Sequence, residues 1–276
     1  MTIRRGRTLG STCRGKGPSS YFCVITVIIT LLLIGICAPG DAGGKEYLVR
    51  NVVDGDTVEL ANGKKVRYTG IDTPETMKRI GRDWLFDPEA FGVEAKEFNR
   101  SMVFKKKVTL EFDVTKKDKY DRWLAYVYVD GKMANEELIR QGLATVYTFP
   151  PNVRHLDLLL EAQEDARKKK RGLWGALKSI SPGEARNSIG RFRVVTGEVF
   201  DVGISPHKIF LNMGSDRSKD LTAVIFTRNI PLFRKKRIDP YSHYRARRVE
   251  VVGKIEDQGG PVMIIDNPSQ IRIIEP

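Results

Sequence analysis

The sequence predicts a mainly β protein with added helices, of the α+β class, arranged as two β-rich blocks behind an N-terminal leader. One observation is a series of short strand-like runs separated by Asp-Gly and Asn-Gly turns in residues 45–175. A second is the spacing of apolar residues in three stretches of the same block, which is typical of helices. A third is a further series of strand-like runs in residues 191–276, punctuated by Gly and Pro.

The composition is ordinary for a globular protein but clearly basic. The chain has 276 residues, of which 41% are hydrophobic and 29% charged, and 47 Lys and Arg against 34 Asp and Glu give a formal net charge of +13. These values exclude a wholly disordered, collagen-like or multi-span membrane chain. The positive excess indicates a polyanionic partner, either nucleic acid or an acidic membrane surface, and composition alone does not choose between them.

Residues 1–42 are predicted to be a signal peptide or an N-terminal membrane anchor. Basic residues without acids precede an apolar run over residues 22–37, and small residues follow, which is the pattern of an export signal. The alternative is an uncleaved anchor, although the run is short for a span of about 17–25 residues. Either way, basic residues on one side only predict that the domains lie outside, in a secreted, periplasmic or anchored protein. All three cysteines lie in this segment, so no disulfide is expected in the rest of the chain.

The first block, residues 45–175, is predicted to be a small five-stranded barrel with three helices packed on it. Its strands are expected at 47–53, 57–60, 64–71, 108–114 and 123–129, and its helices at 91–102, 133–141 and 153–170. Residues 176–190 have the Ser, Pro and Gly content of a linker. In the second block, residues 191–276, strands are expected at 192–200, 209–211, 221–226, 249–255, 262–265 and 271–274, enough for a second small barrel.

Acids and arginines placed on predicted turns are the candidate chemical groups. The three histidines are widely separated, and the chain contains no P-loop, HExxH or GxSxG motif. Asp56 and Asp72 offer the carboxylate oxygens that a hard cation such as Ca²⁺ prefers. Arg67 offers a planar fork for phosphate oxygens, and Glu75 a carboxylate that can take a proton from water. Each turn taken singly also fits plain loop chemistry, because Asp-Gly is a common hairpin turn.

Three motifs bear a resemblance to the staphylococcal nuclease (thermonuclease) family. They are VDGDTV at 53–58, RYTGIDTPE at 67–75 and DKYDRWLAY at 118–126, and the match continues in the same order through 130–138 and 140–144 to 172–174. The resemblance implies an OB-fold barrel and a Ca²⁺-dependent activity on DNA and RNA that leaves 3′-phosphates. The second block resembles, more weakly, the small OB-like domains that follow such nucleases in some bacterial proteins.

The resemblance also implies roles for individual residues. Asp56 and Asp72 would be carboxylate ligands of Ca²⁺ together with the Thr73 carbonyl, and Asp54 would support the metal loop from nearby. Glu75 would be the general base, and Arg67 and Arg122 would stabilise the transition state. Contacts with the substrate are implied for Lys119, Tyr120 and Tyr147. The family pattern is not followed over residues 76–90, and Phe149 stands where the family has a tyrosine.

The sequence therefore predicts an exported, Ca²⁺-dependent, sugar-nonspecific endonuclease with an accessory domain. The alternative is a non-catalytic OB-type protein that binds nucleic acid at the cell surface. The accessory block carries eight basic residues between 228 and 248, interleaved with Phe233, Tyr241 and Tyr244. This segment is either a surface that binds single strands or a solvated loop whose aromatics pack on the barrel, and the sequence favours neither.

Overall fold

The computed structural model describes residues 44–81 and 83–274. The predicted export segment, residues 1–42, lies outside the described residues and stays a prediction. In the described part of the chain, no helix is both long and apolar enough to cross a membrane. Residues 44–276 form one compact unit. Because that unit holds both predicted blocks, the predicted division into domains at 175 and 191 stays a prediction.

A closed ring of five strands forms the first half of this unit, called here the N-terminal barrel. The ring runs β3–β2–β1–β7–β8 and closes through a parallel pairing of β3 with β8. Short strands β4, β5, β6, β9 and β10 lie outside the ring. The strands are β1 Glu46–Asp54, β2 Thr57–Leu60, β3 Lys65–Tyr68, β4 Ile71–Asp72, β5 Met77–Ile80, β6 Asp83–Phe86, β7 Lys107–Lys117, β8 Trp123–Val129, β9 Lys132–Met133 and β10 Thr145–Val146. The ring confirms the predicted five-stranded barrel of the OB type.

Helices close the core of the N-terminal barrel. They are α1 Gly92–Val103, α2 Ala134–Arg140, α3 Leu156–Lys168 and the short α4 Leu173–Ala176. Alternating strand residues such as Val58, Leu60 and Val66 are fully buried and meet Leu138 and Leu159 of the helices in one hydrophobic core. The three predicted helices are confirmed, with ends that differ by a few residues.

A second sheet forms the other half, called here the C-terminal β-unit (residues 179–273). Its strands follow the order β11-β12-β16-β17-β15-β14-β13, and β18 pairs with β16. They are β11 Ser179–Ile180, β12 Phe192–Glu198, β13 Asp201–Ile204, β14 Lys208–Asn212, β15 Thr222–Phe226, β16 Arg248–Asp257, β17 Pro261–Ile264 and β18 Ile271–Ile273, with one helix, α5 Ile230–Lys235. Among the described residues the pairings do not close this sheet into a ring, so a second OB-like barrel stays a prediction.

The segment 176–190 is ordered rather than loosely extended. Strand β11 pairs in parallel with β12, and a 3-10 helix at Pro182–Ser188 begins with a capping box between Ser181 and Glu184. Reciprocal bonds of this kind satisfy backbone donors at a helix start. Residues 179–180 of the predicted linker thus join the second sheet, while the boundaries 176–190 stay a prediction.

The two halves share a small hydrophobic core of their own. Ala166 and Trp174 of the helices pack with Val252 of β16. The rings of Trp174 and Phe192 meet edge to face, with centroids 6.5 Å apart. Hydrogen bonds from Gln163 to Ser269 and from Asn267 to Thr148, and an ion pair between Arg167 and Glu250, join the same faces.

Candidate active site

Arg67 joins the two aspartates that the sequence singled out. One guanidinium nitrogen lies 2.6 Å from Asp56 Oδ2, and the other lies 2.7 Å from Asp72 Oδ1. The guanidinium also donates to the Ile71 carbonyl at 3.0 Å, which fixes its plane. A fork with several donors suits this double contact, and a lysine ammonium would not reproduce it.

Neighbouring residues fix the Asp56 carboxylate. Its Oδ2 accepts hydrogen bonds from the Thr73 amide and hydroxyl at 3.0 and 3.1 Å. Asp54 Oδ1 accepts one from the Asp56 amide at 3.0 Å, as expected of a tight Asp-Gly turn. Gly55 is required there because a Cβ would lie 2.6 Å from Thr73 Oγ1. The structure thus brings Asp54, Asp56 and Thr73 together with Arg67 and Asp72.

The carboxylates around Arg67 outnumber its single guanidinium, and the raised pKa values of Asp54 and Asp72 reflect this excess. Burial, reinforced by repulsion from Asp56, raises the pKa of Asp54 to about 7. Asp72 is half-exposed to a cleft but surrounded by protein, and this desolvation raises its pKa to about 6 although Arg67 opposes it. Burial disfavours the charge on Arg67, yet the four acids Asp56, Asp72, Asp54 and Glu75 together raise its pKa. The cluster therefore carries more negative charge than one guanidinium balances.

Glu75 lies next to this cluster. Partial burial, then repulsion from Asp56 and Asp72, raises its pKa. Among the side chains that the structure describes, none pairs with the Glu75 carboxylate. A carboxylate of raised pKa without a partner suits a group that binds water and accepts its proton.

The backbone of Glu75 is held by Glu89, a residue that the sequence did not indicate. The Glu75 amide donates to Glu89 Oε2 at 3.3 Å, and the Glu89 amide donates to the Glu75 carbonyl at 2.8 Å. Lys254 of the C-terminal β-unit forms an ion pair with the other Glu89 oxygen. Gly92 makes room for this contact, since a Cβ there would lie 2.6 Å from the Glu75 carbonyl oxygen. The segment between Glu75 and Glu89 contains the β5–β6 hairpin.

Three other predicted residues occupy a separate turn between β7 and β8. Arg122 Nε lies 2.7 Å from Asp118 Oδ2, and its guanidinium lies 5.6 Å from the ring centre of Tyr120. The ammonium of Lys119 lies 5.0 Å from the same ring. Within the described residues, no hydrogen bond or ion pair joins this turn to the Asp56–Arg67 cluster. The parallel pairing of Arg67 with Leu124 brings the start of β8 beside β3.

Tyr147 borders the same cleft as the acid cluster. Strand β10 pairs with β4 so that Thr145 lies opposite Asp72, and the Tyr147 amide donates to the Gly70 carbonyl at 3.1 Å. Asp72, Glu75 and Tyr147 all line one cleft of about 1100 Å³. The opposite wall of this cleft belongs to the C-terminal β-unit, which the sequence did not predict.

The donor set fits a hard divalent cation. Asp56 and Asp72 supply only oxygen, and the surplus negative charge around Arg67 would be reduced by a bound cation. In the described part of the chain, no group of three or more His, Cys, Asp or Glu side chains is arranged to hold a metal ion. The pair Asp56 and Asp72, with the Thr73 carbonyl, therefore stays a predicted Ca²⁺ site.

Comparison with known proteins agrees with this geometry. Residues 65–176 match the family model described as "Staphylococcal nuclease homologue". The chain is 37% identical over 137 residues to a thermonuclease of Staphylococcus intermedius, a match covering 49% of this chain and 79% of that protein. The chain belongs to the staphylococcal nuclease family. It is also 41% identical over 127 residues to endonuclease YncB of Bacillus subtilis (strain 168), covering 44% of this chain and 58% of that protein.

These matches cover about half of the chain, and the match to the family model ends at residue 176. Glu89 lies inside the matched range, and Lys254 lies beyond it. The structure adds a second β-unit, which packs against the barrel of the nuclease family and forms one wall of the cleft. Nothing in the sequence near Lys254 could have indicated the contact, because 165 positions separate it from Glu89.

Proposed function

We propose that the protein is a Ca²⁺-dependent endonuclease that hydrolyses phosphodiester bonds of DNA and RNA and leaves 3′-phosphates. The observation that carries the proposal is the combination of a carboxylate pair bridged by Arg67 with the uncommitted carboxylate of Glu75 beside it. The thermonuclease and endonuclease relatives support the reaction class. The predicted leader supports export, to a secreted, periplasmic or anchored location.

Glu75 would act as the general base. Its carboxylate takes a proton from a water molecule as the water oxygen attacks phosphorus. The new bond joins the water oxygen to phosphorus, and the bond between phosphorus and the 5′-oxygen breaks. The products are a 3′-phosphate and a 5′-hydroxyl, which takes up a proton.

The arginines would stabilise the charge that grows on the phosphate oxygens. Arg67 is preorganised by its contacts with Asp56, Asp72 and the Ile71 carbonyl, so little reorganisation is needed during the reaction. Arg122 is restrained by Asp118 in the same way.

Asp56, Asp72 and the Thr73 carbonyl would hold the Ca²⁺. When bound, the cation neutralises the phosphate and polarises its phosphorus–oxygen bonds.

The test is digestion of plasmid DNA and of RNA by the full chain in Ca²⁺, in Mg²⁺ and in excess chelator. Cleavage of both polymers is expected with Ca²⁺, with little in chelator. Mg²⁺ should support less activity because it requires a tighter octahedral shell. Full activity in chelator would contradict the metal assignment. Tight binding of both polymers with no cleavage in any metal would instead favour the non-catalytic alternative.

A further inference from the structure

The C-terminal β-unit forms one wall of the cleft that contains the proposed catalytic acids. Asp72, Glu75 and Tyr147 line it from the N-terminal barrel, and Arg191, Arg193 and Arg228 line it from the other side. Its volume of about 1100 Å³ lies above the usual range of about 300–1,000 Å³ for small-molecule sites. The cleft is thus bounded by the carboxylates of Asp72 and Glu75 on one side and by arginines on the other.

Three arginines on this wall form no ion pair with an acid in the described part of the chain. Among residues 44–81 and 83–274, no ion pair involves Arg191, Arg193 or Arg228. Lys254 lines the same wall but is paired with Glu89. Arg193 donates to the Phe192 carbonyl at 2.9 Å. Guanidinium groups that line a cleft without an acidic partner are suited to phosphates, which they bind through planar, two-pronged hydrogen bonds.

Arg228 is fixed in place without using its hydrogen-bond donors on an acid. Its guanidinium carbon lies 4.7 Å from the ring centre of Phe149 and 4.4 Å from that of Phe226. One ring comes from each half of the protein. Asp266, the acid near Arg228, is almost fully buried and bonded to Asn229, and burial raises its pKa to about 6 although Arg228 counteracts this. The edge of the Arg228 guanidinium remains available for a ligand.

Exposed aromatic side chains lie on the barrel side of the same cleft. Trp84 of the β5–β6 hairpin is 62% exposed, and Tyr147 is 40% exposed. Basic groups that follow a backbone, combined with exposed rings on which bases stack, are the shared chemistry of sites for single strands.

The segment around residues 228–248 offers no comparable aromatics. Phe233 and Tyr244 are fully buried in the core of the C-terminal β-unit, and Tyr241 packs against that core. Of the two interpretations left open by the sequence, packing is confirmed for these rings. Arg234, Lys236 and Arg247 remain exposed on this face, outside the cleft lining.

We propose that the C-terminal β-unit is the second half of the substrate site. A single strand of DNA or RNA lies in the cleft, with successive phosphates on Arg191, Arg193 and Arg228 and with bases against Trp84 and Tyr147. The strand thereby passes Glu75 and the adjacent cluster of Asp56, Arg67 and Asp72. This inference rests on the proposed nuclease function for its meaning, but the binding that it describes is measurable without cleavage.

The experiment measures binding of a fluorescent single-stranded oligonucleotide by anisotropy at several salt concentrations. All proteins are full chains with Glu75→Gln in excess chelator, so that cleavage does not interfere. The cleft set replaces Arg191, Arg193 and Arg228 by Gln. The outer set, matched in charge, replaces Arg234, Lys236 and Arg247 by Gln. Thermal unfolding checks that each variant is folded.

The cleft set is expected to weaken binding and to lower the slope of log affinity against log salt by about 2, at about 0.7 per phosphate contact on a single strand. The outer set should change that slope much less. Arg191→Gln alone, at an exposed position, should lower it by about 0.7 and keeps the test valid if the triple variant does not fold.

The inference is overturned if the cleft set keeps the parental slope, or if the outer set accounts for the larger change. A loss confined to duplex DNA would overturn the single-strand assignment. These failures differ from failure of the proposed function. A wild-type chain that binds the strand but cleaves nothing in any divalent metal refutes the function alone.

Discussion

Arg67 is the residue through which the acids of the site are held together. Its two nitrogens contact carboxylates from different parts of the chain, Asp56 in the β1–β2 turn and Asp72 in β4. The side chain is only 15% exposed, so these contacts are little screened by water. A positive charge alone does not provide this arrangement, because one planar group must contact both Asp56 and Asp72.

Arg67→Lys tests the role of the fork. The variant keeps the charge but cannot contact Asp56 and Asp72 together, so we expect kcat to fall by about 10²-fold or more. The measurement is steady-state cleavage of a short oligonucleotide in Ca²⁺. Arg50→Lys, at an exposed position on β1, is the control and should keep the wild-type rate. Unchanged kcat in Arg67→Lys would remove this residue from the mechanism.

At the scale of elements, the strands of the N-terminal barrel could be predicted from the sequence, since Asp-Gly and Asn-Gly turns bound them. The predicted strand at 57–60 agrees with β2, and that at 123–129 with β8. The β5–β6 hairpin could not be predicted, because β6 is exposed along its length and lacks an alternating pattern. Helix α5 was missed for another reason, since Pro231 and a run of basic residues obscure its apolar face.

The residues of the candidate site also divide into those that the sequence could indicate and those that it could not. Asp54 and Asp56 lie in one predicted turn, and Arg67 and Asp72 lie in the motif at 67–75, so short stretches of sequence together with the family resemblance could indicate them. Contacts across the cleft follow from how the two halves pack, which no local pattern encodes. The catalytic role of Arg122 stays a prediction, and so do the substrate contacts of Lys119, Tyr120 and Tyr147.

The contact from β16 to the loop of Glu75 predicts a positioning role for Lys254. Removing the ion pair in Lys254→Met frees Glu89, which hydrogen-bonds the Glu75 backbone, so we expect kcat to fall by about 3–10-fold. Lys254→Arg should restore most of the rate. In a double-mutant cycle with Glu89→Gln, the losses should not add. Additive losses, or no rescue by Arg, would show that Lys254 acts independently of Glu89.

Lys106→Met is the matched control for this cycle. Lys106 pairs with Asp130 at 2.9 Å, and neither residue lines the cleft. Its removal should leave kcat unchanged. A comparable loss in this variant would attribute the Lys254 effect to general electrostatics.

Glu111 of β7 links the barrel to the start of α3. Burial opposes its charge, but hydrogen bonds from Arg154, Tyr128 and His155 outweigh that effect and lower its pKa to about 2. Since this value lies below the ordinary 4.5, the unfolded chain takes up the proton first on acidification. The stabilisation is therefore complete above about pH 4.5 and is lost as the pH falls toward 2.

Glu111→Gln should thus destabilise the protein by about 1–2 kcal/mol at pH 7, after allowing for screening by water, and by much less near pH 2. The measurement is urea unfolding of both proteins across this range. Glu161→Gln, at an exposed position on α3, is the control. A loss of stability that does not depend on pH would show that Glu111 contributes by packing rather than charge.

At the scale of the whole molecule, the C-terminal β-unit is packed onto the barrel and is not a tethered module. Trp174 is buried between the halves beside Val252, so truncation after the barrel would expose it. Point variants are therefore the cleaner way to separate binding from stability. The cleft between the halves places arginines of one half opposite Asp72 and Glu75 of the other, and this arrangement depends on both halves.

The central claim is that Glu75 and the adjacent cluster of Asp56, Arg67 and Asp72 form a hydrolytic site. The most direct measurement is cleavage of a 5′-labelled single-stranded oligonucleotide in Ca²⁺ by the wild-type chain and by Glu75→Gln, with product ends analysed. We expect wild-type cleavage to leave 3′-phosphates, and the variant to bind the strand normally but to cleave at least about 10²-fold more slowly, since general-base catalysis contributes about 10²–10⁴-fold. Equal rates for the two proteins, or no cleavage by the wild type, would contradict the claim.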